Sequence, residues 1–297
     1  MLIVVLGPTA SGKTKIAIKL AKDFNGEIIS ADSRQIYRGM NIGTDKISPL
    51  ETQGIPHYLI DIVNPDEEFT LAQYKELAIK TIREIQERKK LPFLVGGTGL
   101  YIQAITDNLE IPTVPPDAKL RSNLERIDQK KLVEMLKKLD PVGAKKIDLN
   151  NPRRIIRALE VCLKTGQPFS SQTRKGKRLF KIIEIGLNPP REKLYQKIDQ
   201  RVDWMIENGL INEVKSLLKK YPPNLPAFSG IGYQEIIQYL QGKITLEESI
   251  QQIKFHTHQY ARRQITWFKK DQKIKWVKNL IEAREIIKDF LKKTNQQ

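Results

Sequence analysis

The stretch that constrains this 297-residue chain most is an octapeptide close to its start. It follows the apolar run at 2–6 and leads into residues spaced like the apolar face of a helix. A glycine-rich loop between a strand and a helix is a P-loop, whose backbone N–H groups and helix N-terminus form a positive cradle for phosphate oxygens. Lys13 adds a cation, and the Thr14 hydroxyl can ligate Mg²⁺. The predicted phosphate-binding residues are Gly7, Pro8, Thr9, Ala10, Ser11, Gly12, Lys13 and Thr14.

The residues after the P-loop predict an α/β fold. Apolar runs at 27–31, 57–63, 92–95 and 180–187 are typical of strands, and 71–88 has the spacing of a helix. Strands that alternate with helices indicate a mostly parallel sheet flanked by helices, here of the P-loop NTPase-like kind. Ligands of such sheets bind at the carboxyl ends of the strands, where Asp32 and Thr98 fall.

Charge and element type divide the chain into two predicted parts. Residues 113–178 show helical spacing without strands and carry 17 Lys and Arg against seven Asp and Glu, whereas residues 1–112 carry 13 against 14. We therefore predict an α/β catalytic core of 1–112 together with 179–297, interrupted by a basic helical insertion at 113–178. The basic insertion favours a nucleic acid that docks outside the small-molecule site. On charge alone, solvated lysine-rich helix faces are the alternative.

Several classes of protein are disfavoured by composition. The chain has no apolar run of 18 residues and no basic, apolar leader before its first strand, so we expect a cytoplasmic protein without a membrane segment. Its one cysteine, Cys162, cannot form a disulfide within the chain and falls on an apolar helical face. The sequence shows no Cys/His metal cluster, and we expect a monomer.

The acidic residues near the predicted cradle leave the reaction open. A kinase or ATPase usually has an acidic residue at the end of a strand to hold Mg²⁺ opposite the P-loop threonine. Here the strand at 92–95 ends in two glycines, with Asp61 as a possible substitute, which weakens a phosphoryl-transfer interpretation without excluding it. Asp32 is placed to act as a general base on a nucleophile, or to cap a turn. Both roles stay open from spacing alone.

Eight stretches, taken in order, form a longer pattern. They are GPTASGKT at 7–14, ADSRQIYRGMNIGTDK at 31–46, GIPHYLIDIV at 54–63, GGTGLYIQA at 96–104, NPRRIIRALEV at 151–161, IDQRVDWMIENGLINEV at 198–214, SGIGYQE at 229–235 and HQYARRQITWF at 258–268. Together they resemble the tRNA dimethylallyltransferase (tRNA isopentenyltransferase) family nearly end to end. One departure is Asp45, where the family more often has alanine.

The resemblance implies a reaction. A dimethylallyl group passes from dimethylallyl diphosphate to the N6 amine of adenosine 37 of tRNA, next to the anticodon. The P-loop then holds the leaving diphosphate, and Asp32 accepts the proton of the amine. The resemblance also implies that Lys13, Arg201 and Thr14 with Mg²⁺ stabilise the negative charge that develops on the leaving oxygen.

The resemblance further implies two sets of RNA contacts. The target adenine has to be flipped out of the anticodon loop, and the predicted contacts to it and its phosphates are Asp32, Ser33, Arg34, Gln35 and Thr98. The predicted contacts of the insertion to the anticodon stem-loop are Arg121, Arg153, Arg154, Ile155, Ile156 and Arg157. Tyr260, Gln264 and Trp267 recur at helical spacing and predict a packing stripe.

Two alternatives are kept at this point. An adenylate isopentenyltransferase carries out the same chemistry on a free nucleotide, but a nucleotide-sized substrate does not need a basic insertion. A P-loop kinase, or a nucleotide-dependent RNA-binding protein without turnover, belongs to a different class. The acceptor of the dimethylallyl group separates all of these.

Overall fold

The computed structural model describes residues 1–295, which fall into two compact units. We call Met1–Ile105 with Phe180–Gln297 the core unit, and Thr106–Leu179 the helical unit. The helical unit begins several residues before the insertion predicted at 113–178 and ends one residue after it.

All six strands belong to one sheet of the core unit. They are β1 (Leu2–Leu6), β2 (Gly26–Ala31), β3 (His57–Tyr58), β4 (Leu91–Gly96), β5 (Ile182–Leu187) and β6 (Lys275–Val277). The strand order is β3-β2-β4-β1-β5-β6, and every neighbouring pair is parallel. The predicted α/β class with a parallel sheet is confirmed. In such a sheet the carboxyl ends of β1, β2 and β4 lie side by side, which is where the P-loop and Asp32 begin.

Thirteen α-helices lie within the described residues. They are α1 (Lys13–Asp23), α2 (Leu71–Glu87), α3 (Gly99–Thr106), α4 (Ala118–Glu125), α5 (Gln129–Leu139), α6 (Pro141–Ala144), α7 (Pro152–Thr165), α8 (Phe169–Gln172), α9 (Arg191–Glu207), α10 (Leu210–Leu218), α11 (Tyr233–Leu240), α12 (Leu246–Phe268) and α13 (Leu280–Asn295). No helix within residues 1–295 is both long and apolar enough to cross a membrane.

Side chains of β1 alternate between two buried clusters because successive residues of a strand point to opposite faces of the sheet. Leu2, Val4 and Leu6 join a cluster with α2 and α3, while Ile3 and Val5 join a cluster with α1 and α13. Both faces of the sheet are thus covered by helices, as parallel sheets require.

Helices α9 to α12 build a third cluster beside the sheet. A short 3-10 helix, Pro226–Ser229, contributes to it, and Ile36 and Met40 from the segment after β2 are buried in the same cluster. This packing holds the segment that follows Asp32 against α9, α10 and α11.

Two sequence predictions about strands were wrong. The strand predicted at 57–63 ends at Tyr58, because Leu59 and Asp61 adopt left-handed backbone angles, with φ of 61° and 54°, that a strand cannot contain. The sequence predicts no strand after 187, but Lys275–Val277 forms the edge strand β6. Three residues are too few to show an alternating pattern.

Candidate active site

The P-loop joins β1 to α1 and is also hydrogen-bonded to α12, a helix distant in sequence. The Thr9 N–H donates to Oε1 of Gln264 on α12 at 2.9 Å, and the Ser11 N–H donates to the Pro8 carbonyl at 3.3 Å. Gly12 precedes α1 with φ of 84°. The first N–H groups of a helix have no partner within the helix, so the start of α1 offers donors to an anion. The Ser11 hydroxyl is buried, and no partner for it lies within the described residues.

Lys13 is folded back over this loop. Its Nζ donates to the Pro8 carbonyl at 3.3 Å. Burial lowers the pKa of Lys13 to about 8, with Arg201 lowering it further and Asp32 and Asp45 opposing the change. An anion bound in the loop would favour the charged form of Lys13 and restore its pKa towards the ordinary value.

Asp32 lies directly after β2, and its carboxylate also organises the next turn. Oδ1 accepts the Arg34 N–H at 2.8 Å and the Gln35 N–H at 3.4 Å. Within residues 1–295, both hydrogen bonds to the Asp32 carboxylate end on Oδ1, which leaves Oδ2 available. The two roles that the sequence left open are therefore compatible, because one oxygen caps the turn while the other can accept a proton.

Thr98 follows the neighbouring strand β4 and lies next to the Asp32 turn. Its Oγ1 accepts the Ser33 N–H at 3.2 Å. Thr98 also hydrogen-bonds the Tyr260 hydroxyl, and burial raises the pKa of Tyr260 to about 12. Tyr260 thus keeps its proton at neutral pH and remains a neutral polar group. The structure brings Asp32, Ser33 and Thr98 to one edge of the sheet.

Arg201 reaches the P-loop from α9. Its Nη1 lies 3.5 Å from Oγ1 of Thr9 and 2.6 Å from Oδ2 of Asp45. The sequence predicted Arg201 near the cradle but gave Asp45 no role. The ion pair places a carboxylate beside the cationic end of the site.

Several of these residues line a cavity of about 320 Å³ within the core unit. Its polar part includes Thr9, Asp32, Asp45 and Arg201, and an apolar wall comes from α9. The wall consists of Ile198, Val202 and Met205. A cavity of this size, with an apolar wall on one side and convergent charged groups on the other, suits a small ligand that has one anionic end.

Arg34 and Gln35, predicted to contact RNA, hold protein loops in this structure. Arg34 donates to the carbonyls of Pro226 and Ala227 at 2.9 and 3.2 Å and to the Ser229 hydroxyl at 2.9 Å. Gln35 donates to the carbonyls of Thr44 and Asp45 at 3.2 and 3.1 Å. Arg34 therefore holds a protein loop and also lines the cavity. The Gln35 amide, in contrast, is occupied by its hydrogen bonds to the loop around Asp45.

Sequence reasoning missed the role of Gln264. This buried side chain accepts the Thr9 N–H and donates from Nε2 to the Gly97 carbonyl at 2.8 Å, so it joins the P-loop to the turn after β4. A Cβ at Gly97 would lie 2.4 Å from that Nε2, and a Cβ at Gly99 would lie 2.5 Å from the Trp267 ring. The absence of side chains at Gly97 and Gly99 thus lets α12 pack close to this turn. In the sequence, the sign of this role was a polar residue, Gln264, within an otherwise apolar stripe of a helix.

Glu213 is a second group that the sequence did not reveal. Its carboxylate accepts the N–H groups of Asn41, Ile42 and Gly43 at 2.9, 2.7 and 3.1 Å, and the Tyr233 hydroxyl at 2.6 Å. Three consecutive backbone donors on one carboxylate fix this loop. Glu213 therefore positions the segment that leads into Asp45.

Asp61, considered as a possible metal ligand, is bound elsewhere. It pairs with Lys46 at 2.5 Å, and that Nζ also donates to the Tyr37 carbonyl and to Asn41. Across residues 1–295, no group of three or more His, Cys, Asp or Glu side chains is arranged to hold a metal ion. Any metal ion at the P-loop would therefore need ligands from a bound phosphate compound in addition to Thr14.

Two of the predicted RNA-binding residues in the helical unit pair with a buried carboxylate. Glu160, fully buried, receives Arg121 at 2.8 Å and Arg157 at 2.5 Å, and it accepts the Asp117 N–H at 2.7 Å. Burial alone would raise the pKa of Glu160, but the hydrogen bonds from the two arginines hold it below its usual value. Arg121 and Arg157 thus have a structural partner that the sequence did not predict.

Two of the predicted RNA contacts are corrected by burial. Ile155 is 0% and Ile156 is 5% exposed, since both pack in the core of the helical unit with Leu136 and Leu159. A buried side chain cannot touch RNA in this conformation. Arg153 and Arg154 lie on the exposed side of the same helix, α7.

Comparison with known proteins gives consistent results. Residues 35–271 match the family model described as IPP transferase. A protein of Carboxydothermus hydrogenoformans named tRNA dimethylallyltransferase is 47% identical over 96% of this chain and 94% of its own length. A protein of Anoxybacillus flavithermus with the same name is 46% identical over 92% of this chain and 89% of its own length.

Solved structures extend the likeness to three dimensions. A tRNA isopentenylpyrophosphate transferase from Bacillus halodurans has a TM-score of 0.75, with 41% identity over 99% of this chain and 98% of that chain. A eukaryotic dimethylallyltransferase described as acting on tRNA has a TM-score of 0.76, with 33% identity over 90% of this chain and 69% of that chain.

Proposed function

The chain belongs to the IPP transferase family, and we propose that its charged cavity is the channel in which a dimethylallyl group is transferred to tRNA. The enzyme is a prenyltransferase. It moves the dimethylallyl group from dimethylallyl diphosphate to N6 of adenosine 37, next to the anticodon, and releases diphosphate. The residue roles that follow are part of the proposal.

One observation carries the assignment of roles. A carboxylate with an available oxygen, Asp32, shares a cavity with Arg201 and Thr9 of the phosphate cradle. A base at one position and cations at another are what a substitution at an allylic carbon needs. The apolar wall from α9 suits the five-carbon chain between them, because that chain has no polar group to satisfy.

Asp32 acts as the base in this proposal. The lone pair of an exocyclic adenine amine is conjugated with the ring, so removing a proton as the new bond forms lowers the barrier. Oδ1 is held by the Arg34 N–H, and Oδ2 takes the proton from N6. Nitrogen N6 forms a bond to C1 of the dimethylallyl group, and the bond from C1 to the bridging oxygen breaks.

The cradle stabilises the leaving diphosphate. Negative charge grows on the bridging oxygen as the bond breaks, so donors fixed at that oxygen favour the transition state over the ground state. Lys13, the first N–H groups of α1 and Arg201 supply those donors. The buried Ser11 hydroxyl has no partner within the described residues, and in this proposal it is an additional donor to a phosphate oxygen.

Mg²⁺ fits this cradle with Thr14 as its one protein ligand. Since Mg²⁺ often keeps several waters and binds through substrate phosphates, a site without an acidic cluster is compatible with it. When bound, the ion would supply positive charge to the diphosphate oxygens. The Thr14 hydroxyl would hold it, while Lys13 and Arg201 donate to the diphosphate directly.

The RNA contacts divide between the two units. Asp32, Ser33, Arg34 and Thr98 surround the proposed position of the flipped adenine. The helical unit, with 17 Lys and Arg against nine Asp and Glu, offers Arg153 and Arg154 to the anticodon stem-loop. The proposal takes the working form to be a monomer in the cytoplasm, because one chain supplies every proposed group and tRNA is the substrate.

A single-turnover assay tests the function. Labelled dimethylallyl diphosphate and Mg²⁺ are offered with an anticodon stem-loop RNA, AMP and ATP. Label is expected in the RNA, and changing the target adenosine to guanosine should abolish it. Label in AMP or ATP would identify a nucleotide-modifying enzyme, and label in none of them would favour a kinase or a binding protein.

A further inference from the structure

The ion pair between Asp45 and Arg201 has no role in the reaction described so far. Resting on the proposed function, we propose that Asp45 is a built-in anion that pairs with Arg201 until diphosphate displaces it, and so weakens diphosphate binding. Asp45 would then set how tightly the substrate binds and how readily the product diphosphate leaves.

The distances support an exchange of partners at Arg201. Its Nη1 is 2.6 Å from Asp45 and 3.5 Å from the Thr9 hydroxyl of the P-loop. The guanidinium is thus already at the edge of the cradle, and a small rotation of a long side chain would carry it to a phosphate oxygen. The side chains of Arg201 and Asp45 are 30% and 45% exposed, so water can replace either partner when the pair separates.

The backbone of Asp45 is held in place, so the longer side chain of Arg201 is the partner that moves in this proposal. The Asp45 carbonyl accepts from Gln35, and its N–H donates to the Ile42 carbonyl at 3.0 Å. The preceding residues are fixed by Glu213, and the following Lys46 is bound to Asp61. The carboxylate therefore stays near the cradle after diphosphate arrives, and like charges repel.

Asp45 lies in the cavity, where its negative charge would repel a bound diphosphate. Asp45 and Asp32 both line the cavity, and both act on the charge of Lys13. Asp32 is needed there as the base, whereas Asp45 lies on the side of Arg201. A second carboxylate so close to a diphosphate site has an energetic cost for binding, and removing its charge should lower that cost.

The test measures binding of inorganic diphosphate to the full chain by calorimetry, with and without Mg²⁺. Asp45→Asn is the variant of choice, because Asp45 has φ of 51°, a conformation that asparagine also adopts readily. We expect its Kd to fall about five- to tenfold relative to the unmodified chain, the scale expected for removing one partly exposed charge.

A matched control is available in the same unit. Asp23 and Arg284 form a pair of the same chemistry and the same 2.6 Å length, with side chains 34% and 37% exposed. Asp23 ends α1, the helix whose opposite end carries the P-loop. Asp23→Asn should leave the Kd for diphosphate unchanged.

The possible outcomes are distinct. A higher Kd for Asp45→Asn would mean that Asp45 positions Arg201 for binding, and an unchanged Kd would mean that it has no part in binding; either overturns the inference. If Asp45→Asn bound diphosphate more weakly only in the presence of Mg²⁺, Asp45 would be a metal ligand, and this result would also overturn the inference. If the unmodified chain bound no diphosphate, the proposed cradle would fail together with the inference.

Discussion

The core unit and the helical unit use charged residues in opposite ways. In the core unit, Asp32 and Arg201 line one cavity at the carboxyl ends of the strands, and both act on the charge of Lys13 in the adjoining P-loop. In the helical unit, the buried carboxylate Glu160 ties two arginines to the protein, while other basic residues face solvent. The comparison shows that an arginine in a basic segment cannot be assigned to a ligand until its carboxylate neighbours are known.

Under the proposed function, the two units bind different ligands, and this accounts for the difference. A diphosphate is small and needs several donors at one point, and a parallel sheet supplies that point wherever strand ends meet. An RNA stem is extended, and positive charge spread over a surface is enough to hold its phosphates. The buried ion pairs of the helical unit therefore have a structural role. In the core unit, the ion pair of Asp45 and Arg201 lies within the site.

The largest expected effect on activity is at Asp32. Asp32→Asn keeps an oxygen that can accept the Arg34 N–H but removes the base, so single-turnover transfer should fall by about 10²-fold or more. The affinity for an anticodon stem-loop and the melting temperature should stay nearly the same. If RNA affinity fell in step with transfer, Asp32 would be a residue that positions the adenine, and the contrast between the units would weaken.

The next effect concerns the stability of the helical unit. Glu160→Gln leaves Arg121 and Arg157 without their buried anion, and breaking such a network costs about 3–5 kcal/mol of unfolding free energy. Hydrogen exchange of α7 should report the loss, with the exposed Glu134→Gln as the control. Diphosphate binding to the core unit should not change, and a change there would show that the two units share their stability.

The same network predicts acid sensitivity. The folded state holds the pKa of Glu160 below its ordinary value, so the unfolded state binds more protons as the pH falls through that range. The stabilisation is complete above the unfolded pKa, about 4.5, and is lost as the pH falls below it. In Glu160→Gln this part of the pH dependence should be absent.

The sequence predicted the core unit better than the helical unit for a physical reason. A P-loop has a local signal, because its glycines, lysine and threonine are neighbours in the chain. The contacts of Gln264 with Thr9 and of Glu160 with Arg121 join residues far apart in sequence, and nothing local marks them. Ile155 and Ile156 were assigned to RNA through the motif around them, although their apolar side chains already favoured burial.

Asp45 shows the same limit within the core unit. The resemblance marked it only as a departure from the family's motif. Its partner Arg201 lies 156 positions along the chain, so only the fold reveals that the departure falls in the site. The strand β6 was missed for a related reason, because its three residues pair with residues of β5 that lie 90 positions earlier in the chain.

A smaller effect separates the arginines of α7 and α4. Arg153→Ala with Arg154→Ala should weaken binding of an anticodon stem-loop by about tenfold and lower the salt slope by roughly one per lost phosphate contact. Arg121→Ala should instead destabilise the helical unit and leave the salt slope of the folded protein nearly unchanged. Equal slopes for both variants would mean that Arg121 also contacts RNA, and the division drawn here between bound and exposed arginines would be wrong.

The smallest effect is a pH dependence confined to the core unit. Since burial lowers the pKa of Lys13 to about 8, the free site loses its lysine charge as the pH rises through 8, and diphosphate should bind about twofold more weakly at pH 8 than at pH 7. Diphosphate itself titrates in this range, so the measured quantity is the ratio of its Kd for the unmodified chain to that for Lys13→Arg, which keeps its charge. That ratio should rise with pH above 7, whereas the affinity of the helical unit's exposed arginines for RNA should not follow it. A constant ratio would show that Lys13 stays charged in the free site, and the cradle would then lack the desolvation that distinguishes it from the surface of the helical unit.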